Sequence, residues 1–270
     1  MDLSSYSVPC AGFRTDDFDL VIATDLRFPG GSTHSTLEEA LASHSQGWKI
    51  GLFHMPARMM DRRRKFNPTI TEALHNSIAY LGNTLKGPVH TKVLLFRHPA
   101  ILNVDGDPLP EIEADHVLLV VNHPPVRPGR IDYLLTQGIR KIREKYQCEP
   151  KVYPIGPLVR QALDDAYDNA LRMEPSDWTN VFDLKRFSCM RDMVQRETIV
   201  IGRHSRPAKE KWPDTIEDIR AAYPERSDIE VRILGGASAP EAILGRRPAN
   251  WTIYEFGSKP VEEFLREIDI

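Results

Sequence analysis

The sequence predicts an α/β protein built on a mainly parallel sheet, and three observations carry that prediction. Short apolar runs rich in β-branched residues recur along the chain, as at residues 19–24, 92–96, 116–121 and 198–201. Runs of this kind read as strands buried on both faces, the pattern of parallel pairing. Between them lie stretches with apolar residues three and four apart, as amphipathic helices require. The runs end in glycine-containing or polar turns, where the ligands of open α/β sheets bind.

The first strand, 19–24 (DLVIAT), leads into a loop with paired glycines, 27–33 (RFPGGST), and then a helix over 36–45 with Leu37 and Leu41 four apart. Residues 48–54 (WKIGLFH) form a second strand, and 69–81 a helix with Ile70, Leu74, Ile78 and Leu81 on one face. Strands follow at 92–96 and 116–121, a helix at 133–146 and a strand at 151–155. The rhythm pauses through 178–196, which reads as an inter-domain segment. A second series opens with strand 198–201, which Gly202 is expected to end. It continues with helix 214–222, strand 230–234, the Gly235-Gly236 turn, a short helix near 240–244, strand 251–254 and helix 260–267. Two domains result, residues 1–190 and 197–270, a coarse duplication of Rossmann-like halves. The second series stops after three strands, with residues 267–270 entering a fourth. An open parallel edge is an unusual finish, so the sequence reads as a fragment of a longer protein.

At 270 residues the chain has room for one large or two medium domains. A hydrophobic content of 41% and a charged content of 27% describe an ordinary globular protein. The net charge of −3 argues against a nucleic-acid partner, whose binding surface would be basic. Residues 62–65 (RRRK) read as a solvated loop, with an anionic acceptor or lipid headgroup as the alternative guest, which leaves peripheral membrane association open. Cys10, Cys148 and Cys189 are odd in number and lack CxxC spacing, so neither a zinc site nor a disulfide framework is expected. The N-terminus is polar, and no run reaches the about 18 apolar residues of a membrane span. The chain reads as cytoplasmic.

Residues 198–213 (TIVIGRHSRPAKEKWP) are the most informative stretch. Arg203, Arg206, Lys209 and Lys211 crowd the carboxyl end of a strand, and such cations repel one another unless an anion sits between them. A phosphate or diphosphate is the natural guest, against a plain solvated basic loop. Gly30 and Gly31 expose backbone amides at a helix start, which suits a phosphate, or serve a turn needing positive φ. Gly235 and Gly236 pose the same choice. His123, in 120–125 (VVNHPP), and more weakly His98, in 97–99 (RHP), end strands and are candidates to orient a reacting group; His54 reads as structural. No Gly-x-Gly-x-x-Gly follows the first strand and no Gly-x-Ser-x-Gly elbow occurs, which disfavours a nicotinamide enzyme and an α/β-hydrolase.

Taken in order, 202–206 (GRHSR), 211–213 (KWP), 234–236 (LGG), 250–251 (NW) and 256–257 (FG) stand behind a glycine-rich loop in the first Rossmann-like domain. This arrangement resembles the GT-B glycosyltransferases, in particular the retaining, nucleotide-sugar-dependent glycosyltransferase group 1. The resemblance covers essentially the whole chain. It implies a GT-B fold with the second domain incomplete. The implied reaction moves a sugar from a nucleotide diphosphate sugar to a hydroxyl acceptor (saccharide, lipid-linked or small molecule), with retention and with neither metal nor cofactor. It places Arg203 and Lys211 on the donor diphosphate, and Gly30, Gly31, Gly235 and Gly236 close to donor phosphate or the reacting face. It sets His123 beside acceptor and sugar. The chain departs from the family in lacking its E-x7-E segment and C-terminal helix, so the resemblance implies about 100 further residues. A nucleotide-sugar 2-epimerase and a non-catalytic sugar-nucleotide-binding protein are the alternatives.

Overall fold

The computed structural model describes residues 17–85, 89–104, 106, 108–127, 129–185 and 197–270, with the side chain of residue 210 excepted. They fall into two compact units, within Met1–Phe182 and Asp183–Ile270.

In the first unit, β1 (Asp17–Thr24) sends Leu20 and Ile22 into one apolar cluster and Val21 and Ala23 into another. Successive side chains of a strand point to opposite faces, so an unbroken apolar run has to be covered on both. Four further strands run parallel beside it: β2 (Ile50–His54), β3 (Tyr80–Leu81), β4 (Val89–Arg97) and β5 (Ile112–Val121). A hairpin of β6 (Val126–Arg127) and β7 (Arg130–Ile131) precedes the sixth, β8 (Lys151–Pro154). The order is β3-β2-β1-β4-β5-β8, all parallel.

Helix α1 (Gly31–Ser45) and helix α2 (Pro68–His75) lay Ala40, Ile70 and Leu74 on the Leu20–Ile22 face. Helix α3 (Leu135–Tyr146) and helix α4 (Pro157–Tyr167) lay Leu135, Ile139, Ile142, Val159 and Leu163 on the other. The unit is therefore α/β and Rossmann-like. Its topological switch point lies between β1 and β4, where the chain's outward progress changes direction; the carboxyl edge at such a point is where open α/β sheets bind ligands.

Two of the element boundaries that differ from the sequence expectation have a clear physical reason in this unit. Helix α2 ends at His75, although the apolar period runs on to Leu81. Ser77 takes a left-handed conformation (φ 57°), and the Ile78 amide donates to the Ala73 carbonyl while that of Ser77 donates to Leu74. That six-to-one, five-to-two pair closes the helix, and the half-buried Tyr80 and buried Leu81 beyond it become β3. Helix α1 starts at Gly31 rather than at 36, because Gly30 supplies the backbone entry (φ 72°, ψ −143°) with no side-chain cap.

The second unit holds a three-stranded parallel sheet, order β11-β10-β9, from β9 (Ile199–His204), β10 (Ile229–Leu234) and β11 (Trp251–Tyr254). Its helices are α5 (Ile216–Ala222), α6 (Ser238–Leu244) and α7 (Val261–Arg266). Trp212, Ile219 and Tyr223 pack with Val231, Ile233 and Trp251. Gly202 lies inside β9 and does not end it, which corrects the expected boundary. Glycine is needed there because an added Cβ would stand 2.4 Å from Ile268 Cδ1. The chain's last residues lie against that edge: Asp269 donates its amide to the Val200 carbonyl (2.7 Å) and Gly202 donates to that of Ile270 (2.8 Å).

Among the described residues no helix is long and apolar enough to cross a membrane. Cys148 is a half-buried free thiol, whereas Cys10, Cys189 and most of the expected inter-domain segment lie outside the described residues.

Candidate functional site

The loop after β1 is locked by Asp25. Its buried carboxylate accepts hydrogen bonds from the amide (3.0 Å), Nε (2.8 Å) and Nη2 (2.6 Å) of Arg27 and from the Ala57 amide (2.7 Å). A buried charge persists only when paired and hydrogen-bonded in this way. Arg27 Nη1 also donates to the Asp61 carbonyl (3.0 Å), tying this loop to the one after β2. The loop delivers Gly30 and Gly31 to the switch point. No atom lies within 4 Å of where either Cβ would be, and the first amides of α1, at Gly31 and Ser32, have no acceptor among the described residues. Free amides at a helix start attract anions.

β4 ends on the opposite side of the switch point at Arg97. Its buried guanidinium donates to Glu39 Oε2 (2.6 Å), the Ser35 carbonyl (3.0 Å) and Asn180 Oδ1 (2.9 Å), fastening α1 to the sheet. Burial raises the Glu39 carboxyl, with Arg97 pulling it back. His98 follows in a left-handed conformation (φ 69°), its amide donated to Asn122 Oδ1 (2.7 Å). The residue is 8% exposed, its ring lies 4.3 Å from the Phe28 ring and 4.8 Å from that of His123, and its Nδ1 has no partner. Burial, followed by the charge of His123, pushes it down to about 3.

His123 stands just beyond β5. Its Nε2 lies 3.4 Å from Asp132 Oδ2, and its carbonyl accepts the Tyr133 hydroxyl. Asp132 is clamped by the Nε atoms of Arg127 (2.8 Å) and Arg130 (2.7 Å), which the β6–β7 hairpin presents. Burial lowers His123 to about 4, helped by Arg127 and opposed by Asp132. The imidazole is thus neutral at ordinary pH. With its Nε2 proton turned to Asp132, Nδ1 is left as an acceptor. So weak a base orients a hydroxyl by hydrogen bonding better than it removes the proton. The structure therefore gathers Gly30, Gly31, His98 and His123 at one edge of one sheet.

In the second unit Arg203 sits at the carboxyl end of β9, half-buried. Its guanidinium donates to the Tyr223 hydroxyl (3.2 Å), to Ser205 Oγ (3.3 Å) and to the Lys211 carbonyl, and lies 5.1 Å from the Trp212 ring. All these partners are neutral. Among the described residues it is the one arginine shielded from solvent without a carboxylate; Arg27, Arg97, Arg127, Arg160 and Arg232 each have one. Lys209 and Lys211 occupy a short 3-10 turn, exposed, as is Arg206. Gly235 (φ 121°) and Gly236 (φ 88°) both donate their amides to the Tyr254 carbonyl (2.9 and 3.1 Å). A Cβ at 235 would stand 2.2 Å from the Ser205 carbonyl oxygen. Positive φ favours glycine at both positions, and at Gly235 the missing Cβ lets the loop after β9 close on β10.

Sequence reading missed Asp25, Arg97 with Glu39, and Asp132 with its two arginines. Isolated charged residues carry no periodicity, and their partners are 32, 58 and 9 positions away or folded back through a hairpin. Among the described residues no three His, Cys, Asp or Glu side chains cluster as a metal would need. No protein-family model matches this chain, and no curated protein matches it.

Proposed function

We propose that this chain is a GT-B-like glycosyltransferase that moves a sugar from a nucleotide diphosphate sugar to a hydroxyl acceptor, with retention and without a metal. The observation that carries the reading is Arg203. A guanidinium half-removed from water, braced by Trp212, Tyr223 and the Lys211 carbonyl and without a carboxylate among the described residues, is pre-set for an anion. Lys211, from the adjacent turn, completes the charge on a diphosphate and stabilises the departing nucleotide. In the first unit, the free amides of Gly31 and Ser32 suit a developing negative charge, and neutral His123 holds the acceptor hydroxyl through Nδ1. Gly30 opens the helix start for that approach. Gly235, against the Ser205 backbone, and Gly236, against the Pro207 side chain, shape the floor of the donor loop.

Calorimetry with UDP, GDP and ADP tests the donor site. One of them binds, and Arg203→Ala weakens it by about 1.5–3 kcal/mol, a factor of about ten to a hundred, the scale of a hydrogen bond to a charged group. Unchanged affinity in the variant refutes the assignment. Turnover of the matching nucleotide sugar that needs a hydroxyl acceptor supports transfer. Epimer formation without acceptor, seen by NMR, replaces transfer with epimerisation.

A further inference from the structure

The loop after β2 is not used by the reaction just described, yet it is the most strongly charged surface of the first unit. Residues 55–67 (MPARMMDRRRKFN) hold five cations and one carboxylate in a chain whose net charge is −3. Arg58 and all four residues of 62–65 are exposed, and so is Met59 at 55%. The loop is built rather than loose. Ala57 donates to the buried Asp25, Asp61 accepts from the buried Arg27, and Asn67 donates its amide to the Leu26 carbonyl (2.8 Å). Its cations are therefore held at the carboxyl edge of the sheet.

That same edge collects most of the unit's exposed hydrophobic residues. Eight large hydrophobic residues of the unit are exposed among those described; Trp48, before β2, lies at the other edge, and Val181 and Phe182 lie beyond α4. The remaining five are Met59 after β2, Val126, Ile131 (65%) and Leu134 around the β6–β7 hairpin, and Leu158 (86%) after β8. β2 and β8 are separated by four strand intervals, about 19 Å. Exposed hydrophobic residues on a plain solvated surface are scattered, not gathered at one edge. Cations flanking apolar tips at a single edge match an interface with anionic lipid, where the tips enter the headgroup layer and the cations pair with phosphates.

We propose that the carboxyl edge of the first unit docks on the surface of an anionic phospholipid bilayer. Resting on the transferase reading above, the acceptor hydroxyl then belongs to a membrane-borne molecule presented to His123. Docking itself is read without any turnover, so the two ideas fail separately.

The test is sedimentation of the full chain with vesicles of phosphatidylcholine alone and of phosphatidylcholine containing phosphatidylglycerol. The expected result is binding to the anionic vesicles only, weakened as salt rises. Arg62→Glu with Arg63→Glu and Arg64→Glu lowers the partition coefficient at least about a hundredfold, since each cation near such a surface is worth roughly fivefold. Ile131→Ser with Leu158→Ser lowers it further on vesicles but leaves heparin binding unchanged. Circular dichroism and nucleoside diphosphate affinity matching the parent establish that the variants are folded. No binding to anionic vesicles at low salt overturns the proposal. So does binding that survives the triple reversal, or heparin and DNA binding as tight as vesicle binding, which would mark a general polyanion surface. Vesicle binding without nucleoside diphosphate binding keeps the docking and removes the transferase.

Discussion

Acidification loosens the first unit through its two buried histidines. In an unfolded chain His98 and His123 titrate near 6.5, whereas burial holds them at about 3 and about 4 in the fold. As the pH falls below 6.5 the unfolded state takes up two protons that the native state refuses. The stability they contribute is therefore complete above that value and is lost toward the folded values. Between about pH 7 and about pH 5 each histidine costs about 2 kcal/mol, about 4 for the pair, a sizeable part of a domain's usual stability. The groups facing the rings, Asp25, Asp132, Arg127 and Arg130, are already contained in those folded values. The assay is a urea titration at both pH values, read by hydrogen exchange of the β4 and β5 amides. His98→Asn and His123→Gln provide the comparison, asparagine being the substitute best suited to the left-handed backbone at 98. Glu39, whose raised pKa acts in the opposite sense, is common to all the proteins and cancels. The double variant should lose about 4 kcal/mol less than its parent on acidification. An equal loss in both refutes the burial argument.

Two further substitutions address the framework of each unit. Gly235→Ala should cost about 3 kcal/mol or more in the second unit, because a left-handed alanine is strained and its Cβ meets the Ser205 carbonyl, a backbone atom that cannot turn aside; thermal unfolding within about a degree of the parent would contradict this. Arg97→Met should cost about 3–5 kcal/mol by leaving Glu39 buried without its cationic partner, and adding Glu39→Met should recover most of the loss. A double-mutant cycle by urea denaturation that returns no coupling would show that the pair does not fasten α1.

Much of the architecture was legible in the sequence because burial on two faces is a local, periodic demand. The run 19–24 has to be apolar throughout if helices cover both sides, and β1 extends the predicted strand by only two residues. The same logic found β4, β5, β10 and β11. It failed where the signal for stopping an element was not a periodic one. Ser77 ends α2 with a left-handed residue that is not glycine, and Gly202 continues β9 because the missing side chain answers Ile268, sixty-six residues later. In the site, strand-end histidines and paired glycines were visible by position. Whether a glycine serves a ligand or a neighbouring backbone was not: at Gly235 it is the Ser205 carbonyl, distant in sequence, that leaves no room for a Cβ.

By itself the amino-acid order determined the layering: which segments lie inside, where helices alternate with strands, and which polar residues end up past a strand's carboxyl end. Tertiary structure alone decided which of those polar residues meet. The β1–β4 switch point brings Gly30, His98 and His123 together from loops far apart in sequence, and it silences the charge on both histidines by removing water. Tertiary structure also separates arginines of identical local appearance, neutralising Arg97 with Glu39 while giving Arg203 only uncharged companions among the described residues. The physical reason is range: hydrophobic patterning is written within a few residues, whereas desolvation and ion pairing depend on distances that exist only once the chain has closed on itself.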